Sequence, residues 1–220
     1  MSRNPVRGSA RRPYRERAKK FLVVCEGQTE KAYFEYVGRA LHGVVDIKQC
    51  GDSSPVAIVK LAARYARDDP VLGLGRDRYD EVWAVFDWDG RTDEVLEAKR
   101  IAAKSGVQCA LSNPSFEVWL LWHWRDYMRI GCAQNDVLRE LQAVWGQYHK
   151  GLQTDFAQLP RDGRVKACDR SENAVRAHEN AGRRYPEDRP SSEVFELIGK
   201  IVAAYEASRS SPCPLDPRPT

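Results

Sequence analysis

No window of this chain approaches eighteen consecutive apolar residues, so the sequence offers no candidate transmembrane helix. The basic N-terminus has no apolar stretch behind it and does not read as a secretory signal, which makes a cytoplasmic protein the expectation. The six cysteines (Cys25, Cys50, Cys109, Cys132, Cys168 and Cys213) include no C-x-x-C pair. Scattered in this way, they read as reduced thiols rather than a disulfide frame or a zinc site. Neither G-x-x-x-x-G-K-[ST] nor G-x-G-x-x-G occurs, so nucleotide binding through those loops has no support. There is no internal repeat. With 220 residues, the chain has room for one domain, or one domain with an appendage.

Charge is present in both signs but unevenly placed. The net charge of +4 conceals a basic arm: residues 1–20 carry eight Arg and Lys against the single acid Glu16, a charge of +7, which leaves the rest of the chain at −3. A basic, proline-containing arm on a mildly acidic body is suited to sequence-independent contact with nucleic acid, and equally to being a solvated disordered tail.

The body begins with Phe21-Leu22-Val23-Val24-Cys25, a continuous apolar run of the kind found in buried parallel strands, and ends abruptly at Glu26-Gly27. A helix is predicted over Gln28–Leu41 and a second strand over Val44–Cys50. Ser54-Pro55 then opens a second helix. A loop containing Asp68-Asp69-Pro70, Gly73 and Gly75 leads to a third strand, Val82–Phe86, which ends in Asp87-Trp88-Asp89-Gly90. Thr92 opens a third helix, closed by Gly106, and Val107–Leu111 is a fourth strand. This alternation predicts an α/β fold with a parallel four-stranded sheet, flanked by helices and joined by right-handed crossovers. Asn113-Pro114 starts a helix that is apolar nearly all round and therefore buried, with Asn113 as its N-cap. Three further helices, near 135–149, 164–181 and 192–208, form a C-terminal extension. The expected organisation is an arm (1–20), an α/β domain (21–125), a helical extension packed on it (126–210) and a frayed Pro-rich tail (211–220).

In an open α/β sheet the functional crevice lies beyond the carboxyl ends of the strands. Glu26, Asp87 and Asp89 all stand there. Alternate residues of a strand point to one side, so Asp87 and Asp89 are expected to reach one ion. Like charges about 4 Å apart repel by about 4 kcal/mol at an effective dielectric near 20. A hard divalent cation offsets that repulsion, and without it an acid is expected to show a raised pKa. Asp-x-Asp-Gly also suits a turn that opens a helix, and that reading stays open. Glu117 lies on the apolar face of its helix, where a carboxylate needs a partner. It either joins the acidic rim or is a structural acid. His123, between two tryptophans, reads as a packed core residue, and Cys25 as a small core residue rather than a nucleophile. Candidate cations for a phosphate are Lys31, Arg91, Arg125, His149 and Lys150.

A Glu ending one apolar strand, followed by Asp-x-Asp ending a later one, resembles the Toprim domain of topoisomerases, primases and OLD-type nucleases. The resemblance implies that Glu26, Asp87 and Asp89 are catalytic, metal-binding carboxylates, with Glu30 as an accessory ligand. Three blocks in order, Val24-Cys25-Glu26-Gly27-Gln28-Thr29-Glu30-Lys31-Ala32-Tyr33-Phe34, Phe86-Asp87-Trp88-Asp89 and Ser112-Asn113-Pro114-Ser115-Phe116-Glu117-Val118-Trp119, are similar to the RloB-like family, over about residues 20–205. That family is associated with bacterial restriction loci and abortive phage defence.

The resemblance implies a Mg²⁺- or Mn²⁺-dependent nuclease with metal ligands Glu26, Glu30, Asp87, Asp89 and Glu117. Its substrate contacts would be Lys31, Arg91, Asn113 and Lys150, and its substrate RNA, tRNA or DNA. A defence-system partner protein or a homo-oligomer is compatible with it. The alternative is a non-catalytic, metal-dependent sensor or binding subunit. Nucleotidyl transfer of the primase type lacks any visible zinc or template domain.

Overall fold

The computed structural model describes residues 19–67, 79–152, 154–209 and 212–216. The basic arm up to residue 18, the loop containing Asp68-Asp69-Pro70, Gly73 and Gly75, and the last residues of the tail lie outside the described residues. The strands are β1 (Phe21–Cys25), β2 (Val45–Gln49), β3 (Glu81–Asp87), β4 (Gln108–Asn113) and β5 (Ser191–Ser192). The helices are α1 (Gln28–Ala40), α2 (Pro55–Ala66), α3 (Thr92–Ser105), α4 (Glu117–Trp122), α5 (Gln134–Val144), α6 (Gly163–Asn180) and α7 (Val194–Arg209).

The sheet order is β2-β1-β3-β4-β5. The first four strands are parallel, as expected. The fifth corrects the expectation of a purely parallel four-stranded sheet: β5 pairs antiparallel with the end of β4, Ser192 opposite Ser112 and Ser191 opposite Asn113. Two serines carry no apolar run and no alternation, so nothing in the sequence announces them as a strand.

Strand pleating sorts the core onto two faces. Phe21, Val23, Cys25, Trp83 and Val85 face α1 and α4–α7. Leu22, Val24, Val82, Ala84 and Phe86 face α2 and α3. The first of these cores runs without a break from Tyr33 and Phe34 of α1 through Trp119 of α4 to Leu197, Ile198 and Ile201 of α7. The C-terminal helices therefore complete the sheet's own core, with each large apolar side chain stabilising by about 1.5–3 kcal/mol on burial. Residues 212–216, expected in a frayed tail, return to this core: Cys213 is buried and Asp216 pairs with Arg164.

Two local boundaries also differ from expectation. Asn113 ends β4 and is not a helix cap; α4 starts only at Glu117. Pro114 disfavours the helical region for the residue before it, which keeps Asn113 extended. The helix expected to reach His149 ends at Val144. Gly106 closes α3 with φ +71°, a left-handed position that suits glycine.

Candidate metal centre

The chain leaves β1 for β2 on one side and returns to β3 on the other, so the strand order reverses between β1 and β3. Crevices at such reversals are where open α/β sheets bind ligands. Glu26 follows β1 and Asp87 ends β3, placing both at this point.

Asp87 continues the series Trp83, Val85 and so turns toward α1 and α4. There it meets the fields of Glu30, in the first turn of α1, and Glu117, the first residue of α4. Asp87, Glu30 and Glu117 are 3%, 5% and 1% exposed. Burial first, then Glu30 and Glu117, hold the Asp87 carboxyl well above the usual range. Burial, with Glu117 and Glu26 adding to it, pushes Glu30 up to about 7. The Asp87 carboxyl is raised as expected of an acid paired with Asp89, but burial is the first cause and Asp89 contributes less than Glu30 and Glu117. Asp87 Oδ1 is buried without a hydrogen-bond partner.

Gly27 is what lets Glu30 turn back over the strand end. A Cβ at residue 27 would lie 2.7 Å from Glu30 Oε2, closer than real contacts allow.

Glu117 is held from the segment after α5. The Tyr148 hydroxyl donates to Glu117 Oε1 at 2.9 Å, and Lys150 Nζ lies 3.4 Å from each carboxylate oxygen. Burial alone would lower the Lys150 ammonium, but Glu117, Asp87 and Asp89 together outweigh it and raise its pKa. Glu117 is thus both a member of the acidic cluster and an acid with its own donors.

Glu26 and Asp89 form a second, more open group. Arg91 Nη2 lies 3.2 and 3.4 Å from the two oxygens of Glu26 and 3.5 Å from Asp89 Oδ2, while its Nη1 donates to the Ser53 carbonyl at 2.6 Å. Burial raises the Glu26 carboxyl; Arg91 opposes it and Asp89 adds to it. Strand alternation does not bring Asp89 here. β3 stops at Asp87, and Asp89 sits in the left-handed region with φ +44°, followed by Gly90 at φ +78°. Aspartate tolerates that region better than most residues, and such positions concentrate at functional sites.

The remaining candidates are placed elsewhere or otherwise engaged. Lys31 pairs with Glu35 one turn along α1 at 3.9 Å, and Arg125 pairs with Glu140 at 3.1 Å. His149 is exposed. Asn113 Nδ2 donates to Asp188 Oδ1 at 2.7 Å and to the Pro186 carbonyl at 3.2 Å, while its Oδ1 has no partner. His123 is a core residue, 2% exposed, with Nδ1 2.9 Å from the Trp119 carbonyl. Cys25 is buried and burial raises its thiol pKa; all six cysteines are free. Tyr148 was not a candidate from the sequence. Its only signal was an aromatic residue two positions before Lys150.

The donor chemistry suits a hard cation: all five acids offer oxygen only, and one buried carboxylate oxygen is unpartnered. As the side chains stand, no three His, Cys, Asp or Glu among the described residues form a metal-sized group. Arg91 engages Glu26 and Asp89, and Tyr148 with Lys150 engages Glu117.

The chain belongs to the family described as RloB-like protein, which matches residues 21–201. No curated protein and no solved structure matches it. Among the described residues, no helix is long and apolar enough to cross a membrane.

Proposed function

We propose that this member of the RloB-like family is a Toprim-like nuclease, dependent on Mg²⁺ or Mn²⁺, which cleaves nucleic-acid phosphodiesters in abortive-infection defence against phage. The observation that carries this reading is Asp87: a buried carboxylate at the strand reversal, one oxygen unpartnered, facing two further buried acids from α1 and α4. Leaving such a group in the interior is costly, and a bound cation is the arrangement that removes the cost. Asp87, Glu30 and Glu117 would hold the ion, with Glu26 and Asp89 at the open side of the rim. When bound, the cation would polarise a phosphate and lower the pKa of an attacking water.

The chain's own cations have roles in the same reading. Lys150 and Arg91 neutralise the acids in the absence of metal, and both carry N–H groups able to turn to phosphate oxygens when metal takes the carboxylates. The basic arm would add salt-sensitive affinity for RNA, tRNA or DNA.

The test is incubation of the full chain with Mg²⁺ or Mn²⁺ and labelled DNA, RNA and tRNA, alongside Asp87→Ala. Metal-dependent cleavage that Asp87→Ala abolishes supports the reading. Cleavage that survives Asp87→Ala overturns the assignment. One observation favours a second reading: the acids are engaged by Arg91 and Lys150 rather than grouped around one point. Metal binding without cleavage of any substrate would make the protein a non-catalytic sensor or binding subunit.

A further inference from the structure

Beside the acids, on the β4 and α3 side of the same rim, the segment from α6 to β5 encloses an open cavity of about 780 Å³. None of the five carboxylates lines it. Its position is fixed by two contacts: Asp188, on its wall, accepts from Asn113 at the end of β4, and Tyr185 packs against the apolar core that α3 shares with β3. Arg189, next in the chain, stacks over the ring of Trp88, between Asp87 and Asp89, at 4.5 Å. These contacts tie the segment that carries the cavity to the carboxyl ends of β3 and β4, where Asp87 stands.

Two guanidiniums, Arg183 and Arg184, face this space. Arg183 is built in. Its Nε donates to His178 Nδ1 at 3.1 Å, and His178 Nε2 donates in turn to the Pro190 carbonyl at 3.0 Å. This relay fixes one tautomer of a buried histidine. It also ties down the one Arg183 nitrogen that is not part of the outer fork, leaving both Nη groups for a ligand. A planar fork with a fixed stem is the geometry that suits a phosphate. Arg184 is exposed at the rim of the same space. Of the two acids on the wall, Asp188 is engaged by Asn113, which leaves Glu179 as the opposing charge.

We infer that this cavity binds a backbone phosphate of the nucleic-acid strand whose neighbouring phosphodiester lies at the acidic rim, with Arg183 as the fork and Arg184 as the outer contact. This rests on the proposed function for the identity of the strand. It goes beyond it in assigning a binding site that none of the five carboxylates lines.

The experiment measures binding of a short fluorescein-labelled single-stranded oligonucleotide, as RNA and as DNA, to the full chain carrying Asp87→Ala, across a salt series. In that background, R183Q/R184Q should weaken binding about tenfold or more. It should also make the salt slope shallower by about 0.7 for each phosphate that the arginines no longer neutralise. R184Q alone, at an exposed side chain, should give the smaller part of the same effect with an unchanged melting temperature. E179Q should tighten binding. Unchanged affinity and salt slope in both R184Q and the double variant overturn the site, and inorganic phosphate competing as well as the oligonucleotide would reduce it to a free-phosphate site. A protein that binds through these arginines but never cleaves removes the nuclease reading and leaves the site. Cleavage by R183Q/R184Q at the wild-type rate and affinity does the reverse.

Discussion

The two groups of acids at the rim are close in the chain's topology but balanced in different ways. Glu26 and Asp89 are partly open to water and share one guanidinium, Arg91, so their charges are screened and in part compensated where they stand. Asp87, Glu30 and Glu117 are almost fully buried; among the described residues they have one ammonium, Lys150, with Tyr148 as a further side-chain donor, to Glu117. The open pair resembles an ordinary surface network. The buried trio is under-compensated: Asp87 retains an unpartnered oxygen, and the carboxyls of Asp87 and Glu30 are raised by burial first and then by neighbouring acids, Glu30 and Glu117 for Asp87 and Glu117 and Glu26 for Glu30. Burial, rather than the number of acids, is what separates the two groups.

The largest effect that separates the two groups is on activity. Asp87→Asn should lower metal-dependent cleavage more than about a hundredfold, as expected when a group that directly organises transition-state charge is removed. Asp89→Asn should lower it less. Equal decreases in single-turnover assays would erase the distinction between the groups.

The pH dependence of metal-free stability comes next. Glu30 has a folded-state pKa of about 7 against an ordinary 4.5, so the folded chain holds its proton where the unfolded chain has released it. Its contribution is fully present below pH 4.5 and is lost as pH rises through 7, by up to about 3 kcal/mol. His123 works in the opposite direction. Its pKa is lowered by burial to about 4, so its contribution is present above 6.5 and lost as pH falls through 4. Denaturant titrations of wild type and Glu30→Gln across pH 4.5–8 isolate the carboxyl. The variant should show a shallower decline toward neutral pH than the wild type, the remainder belonging to Asp87 and Glu26, and parallel curves would show that Glu30 is not held protonated.

Smaller again is the removal of a single donor. Tyr148→Phe leaves the buried Glu117 with Lys150 alone and should destabilise by about 1.5–3 kcal/mol, the range for hydrogen bonds to charged groups. Arg91→Gln, at the more open pair, should destabilise by less than Tyr148→Phe. Thermal melts that rank these two variants the other way would mean that the buried trio is better compensated than its geometry indicates.

What could be read from the sequence follows from how local each signal is. Glu26 and Asp87 were legible because an apolar run ending in an acid places that acid at a strand's carboxyl end whatever the rest of the chain does. Gly106 and Pro55 marked helix boundaries for equally local reasons. The approach of Tyr148 and Lys150 to Glu117 spans about thirty residues with no periodicity, and only the packing of α5 against α4 produces it. Asp89 was placed on the correct rim by the wrong argument: a left-handed turn brings it there, and the strand's alternation does not. Asn113 shows the reverse case. Its Asn-Pro sequence suggested a helix cap, while the tertiary structure uses its amide to anchor the segment at Pro186 and Asp188.

The central claim is that the buried trio is a divalent-cation site. Calorimetric titration of Mn²⁺ into the metal-free chain and into Asp87→Asn tests it most directly. A saturable isotherm is expected for the wild type, weakened at least about tenfold in the variant. Identical isotherms, or no binding to either, would contradict the claim.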